Sequence, residues 1–474
     1  MLETNQISKM VKLTKILVVI IIIATVGAIG LLVLQGGDTD AIIEDISRPF
    51  IPTTVDKTEY GTAIAAAKTA FDNGDFKNAL GSYVIAYEAN PKATEPFIGI
   101  ARTYMKIGKP DLAEQNLIIA QKKGGLNEDG KIVLIRLHMA SKNYQQAREV
   151  LQSLGSGANE ALFLASIHSL LVGDIEKAQT NLANLVASAT DDEYRQLGQE
   201  LTHTFEVYNT FADSPRSYLL TLVGETLIDN SEFDLSRPLL FEAIAGQNDY
   251  RDAWMLIGYS YLQSHKLADA KQSLEKAKQL DPYHPVTYFY LGLTENEIGN
   301  YKDAIENLTQ ARSFGYESSL NIYLEIANSY FELEDYAKSS QTFRLASNEG
   351  RLPLDSYVRP IWMFIEQLNK PFDALTLAQK ALQEYPEEAM ALNLMGWAHL
   401  ANGNLGEAQS YLDQAVAKNP NLDAAYLNLG MLHKIKGNTD VARTYLEKAI
   451  KLARANGVES IRTKAQSELN NLNK

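Results

Sequence analysis

Residues Trp254 to Pro282 read WMLIGYSYLQSHKLADAKQSLEKAKQLDP. Trp254, Ile257, Gly258 and Tyr261 stand at the i, i+3, i+4, i+7 spacing that puts them on one face of a helix with 3.6 residues per turn. Ala270, Leu274 and Ala277 give a second stripe of the same kind. Gly258 and Ala270 are small, as two helices in close approach require, and Pro282 removes the N–H that would continue the second helix. The stretch therefore predicts a helical hairpin.

Moved forward by about 34 residues, the pattern recurs as Tyr288, Leu291, Gly292, Ala304, Leu308 and Ala311. It returns as Leu392, Met395, Gly396, Ala408, Leu412, Ala415 and Pro420, and again as Tyr426, Leu429, Gly430, Ala442, Leu446 and Ala449. This period and residue set resemble the tetratricopeptide repeat. The phase extends to repeats starting near Tyr60, Thr94, Glu128, Asn159, Ser217, Arg251, Pro285, Leu320, Asp355, Ala389 and Asp423. The expected fold is all-α: a tetratricopeptide-type solenoid of helical hairpins, about eleven repeats in two arrays, 60–192 and 217–456. An irregular junction is expected over 193–216, where the phase is lost. Ile461, Ala465, Leu469 and Leu472 form one stripe, so 457–474 reads as the capping helix that covers a solenoid's last apolar face.

The chain has 474 residues, 46% hydrophobic and 22% charged, a globular composition. The net charge of −14, without a long Lys/Arg block, argues against a nucleic-acid partner. The absence of cysteine excludes disulfides and thiolate metal sites. Residues 16–34, ILVVIIIIATVGAIGLLVL, carry no charge and have the length of one transmembrane helix. Lys9, Lys12 and Lys15 precede it, and Asp38, Asp40, Glu44 and Asp45 follow. By the positive-inside rule, residues 1–15 are expected in the cytoplasm and the repeats outside it, beyond a linker at 35–59. The apolar run is long for a cleaved signal peptide, and no A-x-A-like site follows it.

No nucleophile elbow, P-loop, H-E-x-x-H or G-x-G-x-x-G is present, and no segment outside the repeats is long enough for a catalytic domain. No enzymatic activity, cofactor, catalytic residue or metal site is expected. His399 and His433 share one position of adjacent repeats and read as seam residues in place of tyrosine, since a zinc site needs further ligands. What remains is binding. The resemblance implies a scaffold whose concave face holds a protein or peptide partner, here in an envelope-associated assembly. Its alternatives are a cytoplasmic-facing co-chaperone or adaptor and an accessory subunit of a cell-wall or glycan enzyme.

Positions 2, 5, 9, 12 and 13 of each repeat point away from the packed seam. In the first three repeats they give rows of Ile64, Ile98 and Ile132, of Lys68, Arg102 and Arg136, and of Phe71, Met105 and Met139. Such rows suit a segment bearing carboxylates and apolar side chains. The competing expectation is internal pairing with Glu95 and Asp129. The second candidate strip comprises Tyr259, Phe289, Arg359, Met363, Trp397 and Met431, suited to an apolar segment.

Overall fold

The computed structural model describes residues 60–154, 159–211 and 213–473, so the predicted transmembrane segment 16–34 and linker 35–59 lie outside the described residues. Every regular element described is helical. No helix among the described residues is long and apolar enough to cross a membrane. The chain divides into two compact units, one ending at Leu280 and the other beginning at Asp281.

In the first unit, hairpins open with the helices Tyr60–Asp72, Glu95–Lys106, Glu128–Ala140, Asn159–Leu171, Arg216–Asp229 and Arg251–Gln263. Each first helix ends at a residue in the left-handed region: Gly74 (φ 73°), Gly108 (φ 70°) and Gly173 (φ 87°), but also Lys142 (φ 60°), Ser231 (φ 59°) and His265 (φ 53°). Glycine takes this conformation without a Cβ penalty; the other three accept it because the turn is fixed by hydrogen bonds. Asp75 N donates to Ala70 O at 2.8 Å and Asn143 N to His138 O at 2.7 Å, closing the helix end. The next residue then starts the second helix. The Asp75 and Asp174 side chains accept from the N–H of Asn78 and Lys177, satisfying donors that the helix start leaves open.

Residues 192–209, expected to be irregular, form one continuous helix, Asp192–Asn209. The Asp191 carboxylate accepts from Glu193 N, and Leu197, Leu201 and Phe205 form a buried i, i+4, i+8 stripe. That stripe packs in the largest core of the unit, with Leu182 and Leu185 before it and Leu219 and Val223 after it. The irregular part is confined to the segment after Thr210, where Asp213 has φ 67° and Pro215 precedes the next helix.

In the second unit, first helices run Pro285–Ile298, Ser319–Glu332, Ala389–Ala401 and Asp423–Ile435. The repeat between Glu332 and Ala389 departs from this pattern. A short 3-10 turn, Leu354–Tyr357, leads into Val358–Trp362 and then a π segment, Met363–Gln367, before the second helix Pro371–Glu384. The last helix, Glu459–Asn470, buries Ala465 and sets Ile461, Leu469 and Leu472 against Leu446 and Ala449 of the preceding hairpin.

Candidate functional site

The isoleucine row of the first three repeats is core: Ile64, Ile98 and Ile132 are all buried. Met105 is also buried, Met139 has no exposed surface, and Phe71 is half-buried with its ring edge-on to Phe76. The exposed apolar strip expected from their spacing is therefore filled by the protein's own packing.

The cation row divides along its length. Lys68 is exposed and pairs with Glu95 at 2.9 Å, and Glu95 also accepts from Tyr60 Oη at 2.8 Å. Arg102 stands 3.6 Å from Asp129 and 3.9 Å from Glu160, with its Nη2 buried and without a hydrogen bond. Arg136 is buried among three carboxylates. Its Nη2 donates to Glu160 at 3.0 Å, and its Nη1 to Glu232 at 2.6 Å and to Asp234 at 3.3 Å. Lys106 adds a second cation 3.5 Å from Glu232.

Glu160 occupies the repeat position of Glu95 and Asp129, so the rule that names those two would have found it. Glu232 and Asp234 come from the helix Phe233–Gly246 and the residue before it, 96 and 98 residues beyond Arg136. This helix lies against Glu128–Ala140 and Asn159–Leu171. Farther along it, Glu242 accepts from Tyr144 Oη at 3.0 Å. The strip that the sequence offers to a partner is thus occupied by a helix of a later repeat.

Burial alone would push the Glu232 carboxyl up, but Arg136 and Lys106 outweigh it and bring it down to about 2. Burial likewise disfavours the Arg136 charge, and Glu232, Asp234 and Glu160 together hold it firmly protonated. Lys68 makes a useful contrast: with over half its side chain in solvent, Lys68→Ala is expected to change stability by less than about 1 kcal/mol in urea unfolding.

The second strip is more open. Tyr259, which belongs to the first unit, is half-buried, and burial followed by the nearby Asp229 raises its hydroxyl pKa. In the second unit Phe289 is buried and stacks on Tyr316 with ring centroids 4.2 Å apart, and Met363 has no exposed surface. Trp397 and Met431 are half-buried at the same position of successive repeats. Arg359 is exposed, lies 4.8 Å from the Phe331 ring centroid, and donates to Asn328 Oδ1 at 3.3 Å. Between Trp397 and Met431 in chain order, Asn428 donates to Asn393 Oδ1 at 2.9 Å, joining adjacent first helices.

No cluster of three or more His, Cys, Asp or Glu suited to a metal ion occurs among the described residues. His399 and His433 repeat one arrangement. Each stacks on a tyrosine of its own hairpin, Tyr411 at 5.5 Å and Tyr445 at 5.4 Å, and each Nδ1 lies 3.3 Å from the amide of Asn404 or Asn438. Both close their hairpin turns.

The peroxisomal targeting signal receptor of Pichia angusta is 28% identical over 218 residues, which are 43% of this chain and 37% of that receptor. The chain thus matches well under half the length of this relative. Among solved structures, Pseudomonas aeruginosa pilF aligns at 20% identity over 47% of this chain and 99% of its own, with a TM-score of 0.35. Yeast Tom70 aligns at 14% identity over 94% of this chain and 95% of its own, with a TM-score of 0.33. The tetratricopeptide repeat profile matches residues 252–284, 366–420 and 393–457, so the helical hairpins of these residues are tetratricopeptide repeats.

Proposed function

We propose that this chain is a membrane-tethered interaction scaffold that holds an extended protein or peptide segment on the inner strip of its second unit. The observation that carries this reading is the contrast between the two strips. The first is filled by the helix Phe233–Gly246, whereas the second keeps Trp397 and Met431 partly accessible and Arg359 exposed, 3.8 Å from Glu332. Aromatic and methionine side chains in a row give apolar grip, and one guanidinium adds a carboxylate contact. The Pichia angusta relative is named a receptor for a targeting signal, which supports a peptide-like partner. Binding accounts for this surface without any catalytic step.

Tethering through residues 16–34, with the repeats outside the cytoplasm, rests on the lysine flank of that segment and its acidic sequel. Protease added to intact cells is expected to digest the repeats. Full protection until lysis would instead place them in the cytoplasm and favour the adaptor reading. For the surface, intact cells would be crosslinked, and the partner recovered with wild-type protein compared with that recovered by Trp397→Asp and Met431→Asp. Recovery is expected to fall at least tenfold. Unchanged recovery in variants with wild-type circular dichroism would exclude this strip.

A further inference from the structure

Within the first unit, the turn after the helix Glu95–Lys106 faces the helices Phe233–Gly246 and Arg251–Gln263 across a cavity of about 130 Å³. Met105, Pro110, Pro238 and Phe241 form its apolar side. Two cations, Arg237 and Lys266, form the other. Their surroundings differ from those of the Arg136 cluster a few residues away.

Arg237 donates only through Nη1: to Ser260 O at 3.3 Å, Ser260 Oγ at 3.0 Å and Ser264 Oγ at 2.9 Å. These acceptors are neutral, and its Nε and Nη2 make no hydrogen bond among the described residues. The guanidinium carbon lies 5.4 Å from the Tyr261 ring centroid, and Lys266 Nζ approaches the same ring at 6.0 Å. Lys266 reaches over the turn at Gly108, with Cε 3.1 Å from where a Cβ would stand. Neither cation has a carboxylate within ion-pair distance among the described residues. The one carboxylate on the wall, Asp234, is engaged by Arg136 at 3.3 Å.

Two like charges sharing one ring in a partly buried cavity disfavour each other. Burial lowers the pKa of both groups, and Arg237 lowers that of Lys266 further, while Asp234 and Asp269 for Arg237, and Asp269 and Asp111 for Lys266, offset part of this. Buried charges in folded proteins are normally paired, and an acidic chain offers many carboxylates for the purpose. Asp111, Asp234 and Asp269 act on the two cations from a distance; the absence of a direct ion pair to either cation among the described residues is the feature that points to a ligand.

We propose that this cavity binds a compact oxyanion, phosphate or a small carboxylate, between Arg237 and Lys266. The two unengaged guanidinium nitrogens present a fork to such a group, and Lys266 supplies a point charge opposite. The cavity has room for one such anion. The bound ion would join the Gly108 turn, the helix Phe233–Gly246 and the Ser264–Lys266 turn. It would thereby hold in place the same helix that Arg136 clamps. This site does not depend on the partner strip of the second unit.

Titration calorimetry of the full chain with inorganic phosphate, at ionic strength held constant with sodium chloride, tests the proposal. A parallel titration with acetate separates phosphate from carboxylate preference. Wild-type protein is expected to show saturable single-site binding of at least one of the two anions. Lys266→Met should weaken it at least tenfold, whereas Lys302→Met, an equal charge change at an exposed site of the other unit, should leave it unchanged. Arg237→Gln should abolish binding, but it also removes the donor to Ser260 and Ser264, so the lysine variant decides. Absence of saturable binding of either anion, or equal affinity in wild type and Lys266→Met, would overturn the site.

Discussion

Replacing Arg136 with methionine is expected to destabilise the first unit by about 3–5 kcal/mol at pH 7, the usual result of removing one partner from a buried ion pair. Among the described residues the guanidinium is the only group that touches Glu160, Glu232 and Asp234 together, and Arg136 is 8% exposed. Without it these carboxylates face one another in a poorly solvated space with only Lys106 and Arg102 near. Urea unfolding at several pH values checks both the size and the sign of the effect. In the wild type Glu232 titrates at about 2, below the ordinary carboxylate range near 4.3. Its stabilising contribution is therefore fully present above that range and is lost as pH falls toward 2. In the methionine variant Glu232 loses the Arg136 charge that holds its carboxyl down, so acidification costs the variant less and the difference from wild type narrows. A difference below about 1 kcal/mol at pH 7 would mean that the cluster is solvated in solution. Hydrogen exchange adds a local measure: Phe233–Gly246 should lose protection first.

Gly258→Leu should cost about 3 kcal/mol, at the upper end of the range for overpacking. A Cβ at Gly258 would lie 2.5 Å from Leu274 Cγ and 3.2 Å from the backbone oxygen of Ala270. The leucine can rotate away, but the carbonyl belongs to the facing helix and moves only if the hairpin opens. The same geometry recurs at Gly292 against Leu308, Gly396 against Leu412 and Gly430 against Leu446, with separations of 2.5 to 2.6 Å. A milder pair of variants isolates the contact. Gly258→Ala should be partly rescued by Leu274→Ala, with a coupling of about 1 kcal/mol between neighbours that share one space. Calorimetry on the single and double variants measures this, and a Gly258→Leu protein that melts like wild type would refute the pairing.

Much of the fold was legible because its determinants are local. Gly258, Ala270 and Leu274 meet within one hairpin, so their spacing alone states which faces pack. Helices begin at Tyr60, Glu128, Asn159, Arg251, Pro285, Ala389 and Asp423, where the repeat phase set them. Between the two arrays the sequence predicts an irregular helix; Asp192–Asn209 is regular, and its Leu197, Leu201, Phe205 stripe shows this where no repeat partner does. Ion pairs between adjacent repeats were also within reach, as Lys68 with Glu95 and Arg102 with Asp129 show. The filling of the first strip was not. A 34-residue period fixes each repeat against the next, yet it carries no information on which distant repeats meet across the groove. For the same reason Met139 looked like a surface residue, since the helix that covers its surroundings lies in a later repeat. Met363 was misplaced by a different cause: the π segment Met363–Gln367 shifts the register that the repeat phase assumes.

The clamp on Arg136 also orders events during synthesis. Arg136 and Asp234 are separated by 98 residues, which a ribosome adds in about 5 to 20 seconds at roughly 5–20 residues per second. During that interval Lys68, Arg102 and Arg136 already have Glu95, Asp129 and Glu160 of the early hairpins as partners, while Glu232 and Asp234 have not yet emerged. The newborn protein therefore passes through a form in which Arg136 has one of its three carboxylates and the clamp closes only when Phe233–Gly246 arrives.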